Sequence, residues 1–90
     1  MTERTTVSAW ALGSGLSHYE RAVLRMGPVG PHSLRAHPDH VELAAAATRL
    51  EDCGLLDRID GEWITNDKGR DALAGKVQVR RETSGKLYVR

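Results

Sequence analysis

Apolar residues recur at helical spacing in two stretches of this chain and at alternating, strand-like spacing in two others. Tyr19, Ala22, Val23 and Met26 fall at i, i+3, i+4 and i+7, one face of an amphipathic helix. Ser17-His18-Tyr19-Glu20 has the S-x-x-E form of a capping box at its start, and Gly27-Pro28 ends it, since Pro lacks an amide and disfavours helical geometry in the residue before it. Leu43, Ala46, Ala47 and Leu50 repeat the pattern in a longer, Ala-rich helix that Gly54 closes, Ala losing no side-chain entropy on folding. The Asp39 and Glu42 spacing predicts a second capping box at its start. Between the two helices Pro31 suits a first helical position. The segment before Pro38 has room for little more than one turn and a half, with Leu34 as its core anchor.

Downstream, the period shortens to two. Leu55-Leu56-Asp57-Arg58-Ile59 and Glu62-Trp63-Ile64-Thr65 flank Asp60-Gly61, the dipeptide suited to a type I′ hairpin because both central residues need positive φ. Alternation puts Trp63 and Thr65 on one face and Ile64 on the other. Either Trp63 or Ile64 must therefore lie away from the core, and an exposed Trp63 would be an interface anchor. Thr65 is placed to cap a short last helix, weakened by Gly69, with Leu73 facing the core and Gly75 as its stop. Val77 to Arg81 and Leu87 to Val89 alternate around Ser84-Gly85 and predict a second hairpin. A lone hairpin is marginal, so this one needs the body of the domain, an N-terminal arm or another subunit to pack on. At the other end Thr5 to Leu12 reads as a short strand or a docked arm held by Trp10, after four fraying residues. Gly13-Ser14-Gly15 reads as a linker, because it lacks the Lys and the buried strand of a phosphate loop. The predicted division is an arm over 1–15, a domain over 16–75 and a basic hairpin over 76–90.

Leu50-Glu51-Asp52-Cys53-Gly54-Leu55-Leu56, followed by Trp63-Ile64-Thr65 and then Gly69 and Leu73, resembles the winged helix-turn-helix family. The nearest pattern is that of the MarR-like bacterial transcriptional regulators, and it covers roughly Leu16 to Gly75. The resemblance implies an α+β fold of three helices, a two-stranded wing and a short fourth helix, here with an additional C-terminal β-hairpin. The long dimerisation helices of the MarR-like regulators have no counterpart in this pattern. The fold alone does not fix function.

Composition narrows the choice. Ninety residues with no Phe, two Trp and two Tyr make one small domain with an aliphatic core, too small to close easily around a catalytic cavity. Cys53 is the one cysteine, so there is no disulfide framework or thiolate metal cage, and a reducing, cytoplasmic setting fits. No apolar run is long enough to span a bilayer. His32, His37, His40 and Asp39 share no helical face and are split by Pro38, so no metal and no cofactor is expected. No Ser-His-Asp, Cys-His or paired-carboxylate set points to an enzyme. The net charge of +1 is unevenly spread. Residues 1–38 carry four Arg against two Glu, for +2; residues 39–75 carry four basic against nine acidic groups, for −5; residues 76–90 carry five against one, for +4. Such asymmetry suits a polyanionic partner at one end or a solvated basic tail.

The resemblance implies that the Ala-rich helix is the one to enter the major groove. Its outward face offers His40, Val41, Glu42, Ala44, Ala45, Thr48 and Arg49. Of these only Arg49 can make a bidentate guanine contact; Thr48 can donate or accept, and Ala44 or Ala45 can meet a thymine methyl. Phosphates would be held by Arg35 with Ser33 beside it, by Arg58 on the wing and by Arg80, Arg81 and Lys86 in the tail. The acidic wing tip, Asp60-Gly61-Glu62, opposes a phosphate backbone. Two functions follow. One is a small winged-helix protein binding double-stranded DNA as a transcriptional regulator or a phage or mobile-element accessory factor, with a homodimer expected. The other is an adaptor that binds a protein through the acidic wing and the Ala-rich helix face.

Overall fold

The structure, a computed structural model, describes residues 11, 12 and 15–90, with side chains from Gly15 onward. The Trp10 anchor, the Gly13-Ser14 part of the linker and most of the expected arm lie outside the described residues. The element order is β1 (Ala11–Leu12), α1 (His18–Met26), α2 (Pro31–Leu34), α3 (His40–Asp52), β2 (Leu56–Ile59), β3 (Glu62–Thr65), α4 (Asp67–Leu73), β4 (Gln78–Arg81) and β5 (Leu87–Val89). The fold is α+β. Among the described residues, four helices accompany an antiparallel β2–β3 pair and a small antiparallel sheet of order β1-β4-β5.

The core forms where the aliphatic periodicity predicts. Leu43, Ala46, Ala47 and Leu50 of α3 are all buried, against Val23 and Leu24 of α1, Leu34 of α2, and Leu55, Leu56 and Trp63 around the hairpin. On α1 the buried face is rotated from the expected stripe. Val23 is buried as predicted, but Glu20 and Leu24 are its fully buried companions, while Tyr19, Ala22 and Met26 pack only at the margin. A charged residue thus stands where an apolar one would be expected.

The β2–β3 hairpin has the expected register, Ile59 opposite Glu62 and Leu56 opposite Thr65. Asp60 and Gly61 take φ of 53° and 80°, the two positive angles of a type I′ turn. Trp63 takes the inner face at 4% exposure and Ile64 the outer, half-buried one. Val29, between α1 and α2, exchanges backbone hydrogen bonds with Trp63 at 2.9 and 2.7 Å, which ties the hairpin to the helix pair.

Two helix-cap expectations are corrected. Asp39 precedes α3 but makes no side-chain cap bond. The turns after α2 run on through His37 and His40 and leave Asp39 at φ −98°, ψ 27°, away from the extended geometry a cap needs. Glu42 is left exposed. Asn66, not Thr65, caps α4, accepting from the Gly69 amide at 2.8 Å. The strand runs through Thr65, whose buried hydroxyl donates to the Leu24 carbonyl at 2.7 Å, so the cap falls one residue later. Within α4, Ala72 is the buried apolar residue and Leu73 is half-buried at the core's edge. Gly69 costs helix propensity, yet a Cβ there would stand 2.3 Å from the Leu55 carbonyl oxygen; close packing of α4 on the β2 entry requires a glycine.

The second hairpin forms, and β1 adds a strand beside β4. Val79 and Leu87 are buried in the common core. Both the body of the domain and residues 11–12 therefore support it.

Candidate nucleic-acid interface

Helix α3 has two chemically distinct faces. Its inner face is the aliphatic row just described. The opposite side exposes His40, Val41, Glu42, Ala45 and Thr48, with Val41 at 65% exposure. Ala44 is half-buried and packs on the core margin. His40 Nδ1 lies 3.1 Å from the His37 carbonyl oxygen, which anchors the ring at the turn before α3. The Thr48 hydroxyl donates to the Ala44 carbonyl at 3.1 Å, so toward a ligand it is left as an acceptor. Ser33 on α2 and Arg35 just after it are both exposed.

Arg49 runs elsewhere. Its Nε donates to Glu20 Oε2 at 2.8 Å, and Arg81 Nη2 donates to the other oxygen, Oε1. Arg81 Nη2 also reaches the Gly15 carbonyl at 3.1 Å. Glu20 is wholly buried, whereas the Arg49 and Arg81 side chains keep 31% and 29% of their exposure. The capping box forms as expected, with Ser17 N donating to Glu20 Oε1 at 2.8 Å and Glu20 N donating to Ser17 Oγ at 3.2 Å. One carboxylate therefore joins α1, α3 and β4. Burial alone would raise the Glu20 pKa; the Arg81 contact, the Ser17 amide and the Arg49 contact outweigh it and hold the carboxyl below its ordinary value. The group stays ionised at neutral pH. Carrying Arg49 to a base edge would strip this carboxylate of one of its two cations, a costly change for a buried charge.

The cations expected to hold phosphates divide in the same manner. Arg58 lies over the Trp63 ring at 4.5 Å and 3.7 Å from Glu51. Glu51 also accepts from Trp63 Nε1 at 2.9 Å and so fastens the hairpin to α3. Arg81 turns inward. Arg80 and Lys86 gather instead at the Tyr88 ring, on the other face of the sheet. Of the residues assigned to DNA contact from sequence, Ser33, Arg35, His40, Ala45 and Thr48 are exposed on α2, α3 and the turn between them. Arg49 and Arg81 belong to the Glu20 cluster.

Glu20 is the residue that sequence reasoning missed. Its capping-box position already accounts for it locally, and its partners lie 29 and 61 residues downstream. Among the described residues no group of three or more His, Cys, Asp or Glu could hold a metal ion. No described helix is long and apolar enough to cross a membrane. Comparisons of the chain with protein-family models, curated proteins and solved structures find no match.

Proposed function

We propose that this chain is a winged-helix DNA-binding domain in which α3 enters the major groove and β2–β3 is the wing. The observation that carries the reading is the outward face of α3. It is solvent-exposed along the helix, while the inner face is the centre of the core, and a short helix and turn precede it as in a helix-turn-helix. Val29 pairing with Trp63 supplies the third, single-residue strand that a wing packs beside. Arg35 and Ser33 hold phosphates from α2. His40, Val41, Ala45 and Thr48 meet the bases, with the apolar pair suited to thymine methyls.

With Arg49 committed to Glu20, α3 keeps no bidentate guanine reader, so base discrimination is modest. The role as a regulator or a phage or mobile-element accessory factor rests on the family resemblance, and the cytoplasmic setting on the single cysteine; a homodimer would be joined through the tail hairpin or the N-terminal arm. Fluorescence anisotropy with random duplex DNA at ~50 and ~200 mM salt tests the reading. A domain making several phosphate contacts binds at the lower salt and loses on the order of 10²-fold or more at the higher. Absence of binding at both salts refutes it.

A second reading has its own support. Ile59 is 50% exposed beside the acidic Asp60 and Glu62, and Val41 is bare on α3. An apolar residue next to a negative tip suits a protein partner better than a phosphate backbone. Capture of a protein that is lost on Ile59→Ser, with no duplex binding, would establish that adaptor role.

A further inference from the structure

A cleft of about 310 Å³ opens between the C-terminal end of α3 and the turn that joins β4 to β5. Arg49 and Asp52, one helical turn apart, form its helix wall; Ser84, Gly85 and Lys86 border it from the turn, and the buried Leu87 gives it an apolar side. Gly85 takes φ 94° and lies against the Arg49 stem, where a Cβ would stand 3.8 Å from Cδ. The polar groups on the helix wall differ in sign. Arg49 meets Glu20 through Nε, and among the described residues its Nη1 and Nη2 groups have no hydrogen-bond partner. The carboxylate of Asp52, the last residue of α3, has no ion-pair partner among the described residues. The negative end of the helix dipole adds to its charge. The Ser84 hydroxyl accepts from the Lys86 amide at 3.4 Å and keeps its proton to donate. The Lys86 ammonium is drawn to the Tyr88 ring, 5.4 Å from its centroid, which leaves Arg49 as the principal cation of the cleft.

We propose that this cleft binds a small zwitterion of the amino-acid type. The site goes beyond the DNA-binding reading and does not depend on it. A carboxylate suits the Nη1/Nη2 fork of Arg49, whose planar geometry presents parallel N–H donors, with the Ser84 hydroxyl as a further donor. An ammonium suits Asp52 and the helix end beside it. The charge balance favours a ligand with both poles over a simple anion. Arg49 and Arg81 together against Glu20 leave one net positive charge, and Asp52 offsets it. Glu20 holds Arg49 in place before any ligand arrives, so less side-chain freedom is lost on binding. The volume lies near the lower bound for small-molecule sites, roughly 300 Å³, which suits a molecule of amino-acid size better than a nucleotide.

The experiment records proton–nitrogen NMR spectra of the full chain while each proteinogenic L-amino acid is added in turn. Acetate, methylamine and inorganic phosphate serve as probes that carry charge of a single sign. At least one amino acid is expected to give saturable shifts of the Arg49 Nε–H and of the Asp52, Gly85 and Lys86 amides, with a Kd of about 1 mM or tighter. The single-sign probes should not saturate over the same range. Asp52 is exposed, so Asp52→Asn keeps the fold, as circular dichroism verifies, and is expected to weaken amino-acid binding by about tenfold or more. An equal response to acetate or phosphate, or wild-type amino-acid affinity in the folded variant, overturns the zwitterion assignment. Absence of saturable shifts with every amino acid overturns the site itself, whatever the duplex titration shows.

Discussion

Replacing Glu20 with Gln removes a negative charge from a position with no solvent exposure while keeping an oxygen that can accept from the Ser17 amide. Two cationic donors lose their shared anion. Taking away one partner of a buried ion pair costs about 3–5 kcal/mol. Here the surviving Arg49 and Arg81 side chains keep 31% and 29% of their exposure and can turn partly to water. The lower end, about 3 kcal/mol, is therefore the expected loss at neutral pH. For a domain of this size that corresponds to a drop in Tm of about 12–24 °C. The pH dependence carries a sign of its own. The folded pKa of Glu20 lies below the unfolded one, so the native state holds this proton less readily than the unfolded chain. The stabilisation is complete above the unfolded carboxylate pKa and is lost as pH falls through the folded value. Urea unfolding followed by circular dichroism at pH 7 and at steps down through ~pH 4 should show a wide gap between wild type and E20Q that narrows on acidification. A gap under about 0.5 kcal/mol at pH 7, the range of an ordinary surface substitution, or one that stays constant with pH, would refute the account of Glu20 as a paired, buried anion.

Two further changes test other parts of the fold. Gly69→Ala should gain about 1 kcal/mol of helix propensity and still destabilise. Its Cβ would meet the Leu55 backbone carbonyl oxygen at 2.3 Å and Thr65 Cγ2 at 2.9 Å, so a net loss of about 1–3 kcal/mol by urea titration is expected. A stabilised variant would show that α4 can shift freely on the hairpin. The Cys53 thiol is pushed up by burial and lies at the end of α3 with Sγ 3.4 Å from the Leu50 carbonyl oxygen. Its alkylation by iodoacetamide should therefore be slower at neutral pH than that of free cysteine, with the rate profile displaced to higher pH; a rate equal to free cysteine's would contradict that environment.

The features legible in the sequence are those set by neighbours in the chain. The α3 row from Leu43 to Leu50, the Asp60-Gly61 turn and the Ser17 cap each depend on spacing within about seven residues, and each appears where its spacing puts it. Ile64 and Trp63 could not be told apart by alternation alone. The choice depends on Val29 and Glu51, both brought to the hairpin by the tertiary fold. The helix caps show how far local chemistry reaches. Asp39 has a capping side chain, but the preceding turns fix its backbone outside the geometry a cap needs; Asn66 has the role at α4 because Thr65 stays in β3 with its hydroxyl bound to the Leu24 carbonyl. Most of the candidate interface was visible as exposed residues on α2 and α3. Its missing element, the loss of Arg49 to Glu20, depended on contacts spanning 29 and 61 residues, which no local pattern records.

Under the proposed DNA-binding reading, that loss limits what the domain can recognise. A recognition helix with an exposed arginine near its middle could distinguish guanine by a bidentate contact worth about 1–3 kcal/mol. Here the arginine at that position stabilises the join between α1, α3 and the C-terminal hairpin, and the outward face keeps one imidazole, one acceptor hydroxyl and small apolar groups. Affinity, if α3 meets DNA as proposed, comes from cations placed outside that helix, Arg35 among them, because phosphate contacts set binding strength without reading sequence. The same buried carboxylate that takes Arg49 from the base edges also holds Arg81, and with it the β4–β5 hairpin, against α3. Glu20 thus fixes where the β4–β5 hairpin stands relative to α3 and, on the proposed reading, lowers the information α3 can read. Under the proposed DNA-binding reading, a domain built this way holds duplex DNA in a set orientation more than it selects one sequence among many.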